Sequence, residues 1–505
     1  MIKDVILHNG RIPEKPKGSD LSNSELTVQW NSIDWTTVKE SVSNLQTRIT
    51  RAALDGKWHK VNQLIRLLTR SYNAKLLAVR QVTQSKGKNT PGIDEIVWRT
   101  PAEKMQAVLN LNTRGYRACP LKRKYIPKKN GKVRPLSIPT MNDRAMQALF
   151  ALALTPVEYA TGDRSSFGFR KYRGTRDACE MAFLCLSRKN SAQWVLEADI
   201  KSCFDMIDHN WLLTHIPMNR AILKQFLKTG FIEGSSLFPT SAGCPQGGVI
   251  SPILANMCLN GLEKVLGQRF YLRKNGTISK ALNRHKVNLI RYADDILVTA
   301  DSQETAQEVK LILTEFLSER GLQLSEEKTK VTHISTGFVF LGWEFRKFGD
   351  KLLIQPSKES IKSLTAKVHD ILKAGRSWTQ DAIIGTLNPI IRGWCNYHRH
   401  VAASKAFSKV DNTIYHMLYA WAKRRHPNMG RRDTVDKYWN HRDSRQWVFA
   451  TKTQELVNPK KVKIRRHNLI KLDMNPYLDK EYFEFRTRAK NSYRKSSILT
   501  CHPQG

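Results

Sequence analysis

No two cysteines of this chain are spaced Cys-x-x-Cys, and acidic residues are scarce, 44 Asp and Glu against 83 Lys and Arg. The first absence excludes a zinc knuckle and a dithiol redox motif. The eight cysteines, Cys119, Cys179, Cys185, Cys203, Cys244, Cys258, Cys395 and Cys501, are scattered and read as reduced core residues of a large intracellular chain. The second absence leaves a formal charge of +39. Spread over a folded surface, that excess repels itself unless a polyanion binds it. Nucleic acid fits, because each neutralised phosphate releases a counterion. A long apolar span and an amphipathic anchor are also missing, which excludes the competing membrane-surface reading. The opening Met1-Ile2-Lys3-Asp4-Val5 has neither a signal-peptide core nor an Arg/Ser-rich transit pattern, so a cytoplasmic protein is expected. Internal repeats and low-complexity tracts are absent too.

What is present is a chain of 505 residues, too long for one core. Residues 1–24 are polar and rich in Pro, Gly, Lys and Ser, and read as a mobile tail. From Ser32 the pattern turns helical: Val38, Val42, Leu45 and Ile49 share one face, and Val61, Leu64, Ile65 and Leu68 another. A helix from about Lys57 to Val82 runs into the polar loop Gln84 to Gly92, whose Lys86 and Lys88 are placed to meet phosphates. Between Tyr125 and Pro139, Asn130-Gly131 divides two extended runs, the pattern of a hairpin. It carries Lys128, Lys129, Lys132 and Arg134, more cations than a merely solvated turn requires. Helices and short strands mix from Leu136 to Phe345, as in an α+β core, and helices dominate after Lys358. Arg424, Arg425, Arg431 and Arg432 form a basic knot. Beyond it, Arg465, Arg466 and residues 486–495 are interleaved with Trp447, Phe449, Tyr477, Tyr482, Phe483, Phe485 and Tyr493. Such interleaving suits base stacking beside phosphate neutralisation, and equally the core of a small packed domain.

Tyr292-Ala293-Asp294-Asp295 lies between the apolar runs Val287 to Ile290 and Ile296 to Val298. Two strands around a tight turn would present adjacent carboxylates at a hairpin tip. A third carboxylate, Asp199, ends the apolar run from Trp194. An Asp-Asp pair alone also describes a solvated turn. Mutually repelling carboxylates held together by a fold call for a divalent cation. Polymerases use such a set, with two ions that activate a primer hydroxyl and stabilise the leaving pyrophosphate.

In chain order, the opening segments 45–49 and 71–75, residues 198–205, 245–252, 292–295 and 321–330, the turn Phe340-Leu341-Gly342-Trp343, and Gly393-Trp394-Cys395-Asn396-Tyr397-His398 resemble the motifs of group II intron reverse transcriptases, or maturases. The resemblance covers about Trp30 to Lys495. It implies a right-hand polymerase: α+β fingers and palm, a helical thumb and a small basic DNA-binding segment. The division expected is 1–24 tail, 25–100 N-terminal extension and start of the fingers, 101–355 fingers and palm, 356–440 thumb and maturase region, and 441–505 DNA-binding segment.

The resemblance also assigns roles. Asp199, Asp294 and Asp295, with the backbone carbonyl of Ile200, would hold two Mg²⁺ ions, Asp295 being the more peripheral. Lys128 and Arg134 are candidates to clamp the triphosphate, and Gln246 with Gly247 allows close approach to the incoming nucleotide. Lys328 would protonate the leaving pyrophosphate or stabilise its charge, unless it is an ordinary surface lysine. Phe204, five residues after Asp199, would collide with a ribose 2′-hydroxyl and so favour deoxynucleotides, unless it is a core phenylalanine. Many members of the family continue into an endonuclease domain with paired cysteines. Cys501 and His502 alone cannot complete a zinc site, so that domain is expected to be missing. The partners implied are a group II intron RNA, target DNA and deoxynucleoside triphosphates. Two rivals differ in class. A splicing-only maturase would not need the three aspartates, and a reverse transcriptase of a non-intron element would lack the region 383–439. An RNA-synthesising polymerase is disfavoured by Phe204.

Overall fold

The computed structural model describes residues 21–127, 131, 133–442 and 445–499. Lys128, Lys129, Lys132, Cys501 and His502, and residues 1–20 of the expected tail, lie outside them. In chain order the strands are β1 (Leu121–Pro127), β2 (Val133–Ile138), β3 (Trp194–Asp199), β4 (Phe231–Glu233), β5 (Ser236–Phe238), β6 (Asn288–Tyr292), β7 (Asp295–Ala300), β8 (Lys330–His333), β9 (Phe338–Phe340), β10 (Trp343–Phe348), β11 (Lys351–Pro356), β12 (Trp439–Arg442) and β13 (Arg445–Phe449). Helices fill most of the remainder, and the mixed α+β reading stands.

The apolar run before Asp199 and the two around the Asp-Asp pair pair into one antiparallel sheet of order β6-β7-β3-β8. Both faces are covered, so its strands are apolar on both sides rather than alternating with polar residues. Leu196, Ala198, Leu289, Ile296 and Val298 join one core, together with Val309, Leu313, Phe316 and Leu317 of helix Gln303–Ser318. Val195, Ile290 and Leu297 join a second core with Ala178, Cys179, Ala182 and Leu186 of helix Thr175–Leu186. The sheet thus divides two cores and carries the carboxylates at its end.

The first core also holds the N-terminal helices, packed around the largely buried helix Met141–Thr161. The helical region starts at Asn23, ahead of the expected Ser32. Ser22 accepts from the Glu25 N–H while the Glu25 side chain accepts from the Ser22 N–H, a capping box that hydrophobic periodicity does not register. The expected helix from Lys57 to Val82 is two helices, Trp58–Arg70 and Tyr72–Gln84. Ser71 turns extended between them, at ψ 130. Serine suits such a junction, because it favours helix ends over helix interiors.

In a second sheet, of order β2-β1-β4-β5, β1 and β2 pair antiparallel on either side of the expected turn, whose Asn130 lies outside the described residues. In the third, the tight turn Leu341-Gly342 joins β9 to β10, with φ of 50 and 83. Positive φ at both central residues is the turn that matches strand twist. Trp343, fully buried beside this turn, stacks on Tyr397 of helix Gln380–His398 at 4.6 Å and 4°, and the Tyr397 hydroxyl donates to the Leu341 carbonyl at 2.8 Å. The helices Lys358–Ala374, Gln380–His398 and Ser404–Arg425 build the second core onto these contacts. Phe449, Ile470 and Phe483 of the C-terminal segment belong to the same core. Asp177 anchors that segment: it accepts from His467 Nε2 at 3.0 Å, the Ile470 N–H at 3.1 Å and Arg486 Nη2 at 3.2 Å. Phe485, at 73% exposed, and Trp447, at 49%, stay outside the core, so the aromatics divide between packing and surface.

Candidate active site

Asp199 ends β3, Asp295 opens β7, and the register sets them opposite each other. Asp294 stands in the turn of β6 and β7, where Tyr292 pairs with Asp295. Ala293 takes φ 58 in this turn, an uncommon value for a residue with a Cβ. Its surroundings hold it there. A Cβ on Gly168 would lie 2.3 Å from the Ala293 nitrogen, so only glycine fits beneath the turn. Arg291 is fully buried. Its Nη1 donates to Asn256 Oδ1 at 3.1 Å and to the Ala293 carbonyl at 3.3 Å, and its Nη2 donates to Asn260 Oδ1 at 2.9 Å. Asn256 donates in turn to the Gly168 carbonyl at 2.9 Å.

Burial pushes the Asp294 carboxyl up, and the charge of Asp199 adds to the shift. Asp295 still reaches solvent, but desolvation by the surrounding protein, then Asp294 and Asp199, push it up to about 6. Lys328 Nζ donates to Asp199 Oδ2 at 2.7 Å, and that bond raises the ammonium's pKa. The loop bearing Lys328 is moored to the residue it neutralises, since the Ser325 N–H donates to the Asp199 carbonyl at 2.8 Å. Ile200 forms an isolated bridge with Leu324, which fixes the backbone just after Asp199. Among the described residues, no three His, Cys, Asp or Glu side chains converge closely enough to enclose a metal ion. The donor set still fits a hard divalent cation. It consists of carboxylates whose mutual repulsion is visible in Asp295, with one lysine as their counter-charge.

Gln246 bridges two parts of the molecule. Arg134 Nε donates to its Oε1 at 2.7 Å, and its Nε2 donates to Asp205 Oδ2 at 3.0 Å. Gly247 has φ 112, and a Cβ there would lie 2.5 Å from the Ser137 carbonyl oxygen. The close approach it permits within the protein is therefore to β2, whose Ser137 N–H donates to the Gln246 carbonyl at 2.7 Å. Phe204 is half-buried, and its ring meets Phe169 edge-on at 6.2 Å.

Of the expected phosphate-binding cations, Lys86 and Lys88 are exposed on a loop held by Arg144, which donates to the carbonyls of Gly87 and Thr90 at 3.0 and 2.7 Å. Arg424, Arg431 and Arg432 are exposed. Arg425 has a structural tie as well: its Nη1 donates to the Arg376 and Trp378 carbonyls at 2.9 and 2.8 Å. Arg466 pairs with Glu180 at 3.2 Å and lies over the Phe183 ring. The Arg465 N–H donates to the Arg399 carbonyl at 2.8 Å. The sequence does not announce these ties, nor Gly168, Phe169, Asn256 and Arg291, and Asp205 stood in the 198–205 motif without a role. Arg291 alone had a signal, a charge inside an otherwise apolar strand.

Three family descriptions match the chain. Reverse transcriptase (RNA-dependent DNA polymerase) covers residues 126–345, the N-terminal domain of reverse transcriptase covers 30–111, and the group II intron maturase-specific domain covers 361–439. Protein YkfC of Escherichia coli (strain K12) is 30% identical over 337 residues, 60% of this chain and 87% of that protein. The group II intron-encoded protein LtrA of Lactococcus lactis subsp. cremoris is 28% identical over 436 residues, 69% of this chain and 72% of that one. Among solved structures, apo telomerase from Candida tropicalis, truncated from its C-terminal domain, is 17% identical with a TM-score of 0.34, over 46% of this chain and 54% of that one. That likeness is too loose to place any residue. With polymerase and maturase regions in one chain, and a relative matched over most of its length, the protein belongs to the group II intron-encoded reverse transcriptases and maturases.

Proposed function

We propose that the chain copies RNA into DNA from deoxynucleoside triphosphates by two-metal nucleotidyl transfer, with Asp199, Asp294 and Asp295 holding the ions and the Ile200 carbonyl as a further ligand. The observation that carries this reading is the register that sets Asp199 opposite Asp295, with Asp294 in the adjoining turn. Bound divalent ions, taken to be a pair of Mg²⁺, would supply the charge that activates a primer hydroxyl and stabilises the leaving pyrophosphate. Lys328 is held as a firm ammonium beside Asp199, which suits it to stabilising phosphate charge more than to giving up its proton. Arg134, near enough for its charge to oppose part of the rise in the Asp294 pKa, would reach the triphosphate together with Lys128. Gln246 and Gly247 would line the base, and Phe204 would exclude a ribose.

In the same reading, the exposed Lys86, Lys88, Arg424, Arg431 and Arg432 meet the phosphates of the intron RNA, with Arg425 adding its charge while it ties the thumb together. The protein grips that RNA through 25–100 and 356–440, assists splicing and reverse splicing, and polymerises with 101–355. Residues 441–505, Arg465 and Arg466 among them, meet the target DNA. The proposed place of action is the cytoplasm; no described helix is long and apolar enough to cross a membrane. A splicing-only role is disfavoured because binding RNA does not call for aspartates set opposite each other on β3 and β7 with a third in the adjoining turn. The test is Asp294→Ala. Primer extension on an RNA template should be abolished, while intron RNA binding, spread over many cations, persists. Extension near the wild-type rate would overturn the assignment.

A further inference from the structure

Phe169 holds a φ of 59, a left-handed backbone that a bulky residue adopts only under constraint. Burial does not explain it, because the residue is 54% exposed. Its flanks do. On one side, the Phe167 N–H donates to the Arg291 carbonyl at 2.8 Å and the Arg291 N–H to the Ser165 carbonyl at 2.9 Å, zipping the segment to β6. Gly168 is pressed under Ala293 and held by Asn256. On the other side, Arg170 is buried in an ion pair with Glu158 at 2.9 Å and donates to the Asp163 carbonyl at 2.6 Å. Between these two clamps the Phe169 ring is turned out to meet Phe204, edge-on at 6.2 Å and 81°.

We propose that Phe169 is a specificity-determining, positioning residue of the polymerisation site. With Phe204 it forms a two-ring wall beside the carboxylates, and it holds Phe204 where a ribose 2′-hydroxyl would strike it. Between the two clamps, the left-handed backbone is what turns the ring to that point. This rests on Phe204 selecting the sugar, and the test separates the two claims.

Ribonucleotide against deoxynucleotide incorporation is measured by primer extension on an RNA template for wild type, Phe204→Ala, Phe169→Ala, the double variant, and Phe169→Tyr as the conservative replacement. An edge-to-face ring pair corresponds to a roughly 2- to 10-fold effect. Phe169→Ala should therefore raise relative ribonucleotide use by about that factor. Phe169→Tyr should restore selection, and the double variant should be no more permissive than Phe204→Ala alone. Phe169→Asn, which tolerates the left-handed backbone, should keep or raise the melting temperature while relaxing selection. Wild-type selection in Phe169→Ala beside relaxed selection in Phe204→Ala overturns this inference alone. So does a Phe169→Asn variant that loses several degrees, since that residue then serves packing. Unchanged selection in Phe204→Ala overturns the sugar-gate reading and this inference with it.

Discussion

Asp295 opens β7 at its solvent-exposed end, yet it is hemmed in by the surrounding protein and faces two further carboxylates, so its folded-state pKa of about 6 lies above the ordinary 3.8. The fold therefore favours its protonated form. The stability this brings is fully present below about pH 3.8 and is lost as pH rises through about 6, above which the fold carries an ionised, repelled carboxylate. A divalent cation needs that ionised form. The Mg²⁺ concentration that half-saturates primer extension should therefore climb as pH falls through about 6. A flat response from about pH 5 to 8 would remove Asp295 from the proposed ion site. That Asp295 is a carboxylate beside another was legible in the sequence. Its pKa was not, because the largest cause is desolvation by the packed protein, and Asp199, which another strand supplies, adds to the repulsion from neighbouring Asp294.

At the scale of elements, the hairpin of β6 and β7 is local and was readable, as were the Asn-Gly hairpin and the helices after Lys358. What aims the hairpin is not local. Gly168 and Asn256 come from a loop and from helix Ser251–Leu259, and Arg291 reaches back from β6 to meet Asn256, Asn260 and the Ala293 carbonyl. Gly168→Ala would place a Cβ 2.3 Å from the Ala293 nitrogen and push the turn aside. The expected cost is about 1–3 kcal/mol of stability, with a larger loss in extension rate than in intron RNA binding. Equal losses in both would make the contact a matter of folding alone. Helix ends followed the same logic. The Ser71 break and the Ser22–Glu25 cap escaped a reading based on apolar periodicity, because both depend on polar side chains and on backbone geometry.

Across the whole molecule, the positive charge read from composition serves two purposes that composition cannot separate. Arg431 and Arg432 stand exposed at the start of helix Arg431–Tyr438, whereas Arg466 is tied to Glu180 and rests on Phe183. Reversing Arg431 and Arg432 to Glu should leave the melting temperature nearly unchanged. It should flatten the log–log salt slope of RNA binding by roughly 1–2, as fewer counterions are released. Arg466→Glu would set two carboxylates face to face and should lower the melting temperature. An Arg431→Glu, Arg432→Glu variant that melts early but keeps its salt slope would invert this division. The C-terminal segment needs the same care. Removing it from residue 441 onward would also strip Phe449, Ile470 and Phe483 from the second core, so impaired insertion in such a truncation would not isolate DNA contact.

The sequence by itself determined the chemical inventory: three aspartates at strand ends, the glycines and turns around them, Phe204 after the first aspartate, and a surface too basic to stay without a polyanion. Those features are local or compositional, and local sterics and charge count suffice to read them. Only the tertiary structure decided who meets whom. Lys328 reaches Asp199 across 129 residues, Gln246 spans Arg134 and Asp205, and Phe169 is forced against Phe204 by clamps drawn from separate elements. Such pairings are set by packing two cores against one sheet, and no pattern along the chain encodes which distant side chains that packing brings within reach.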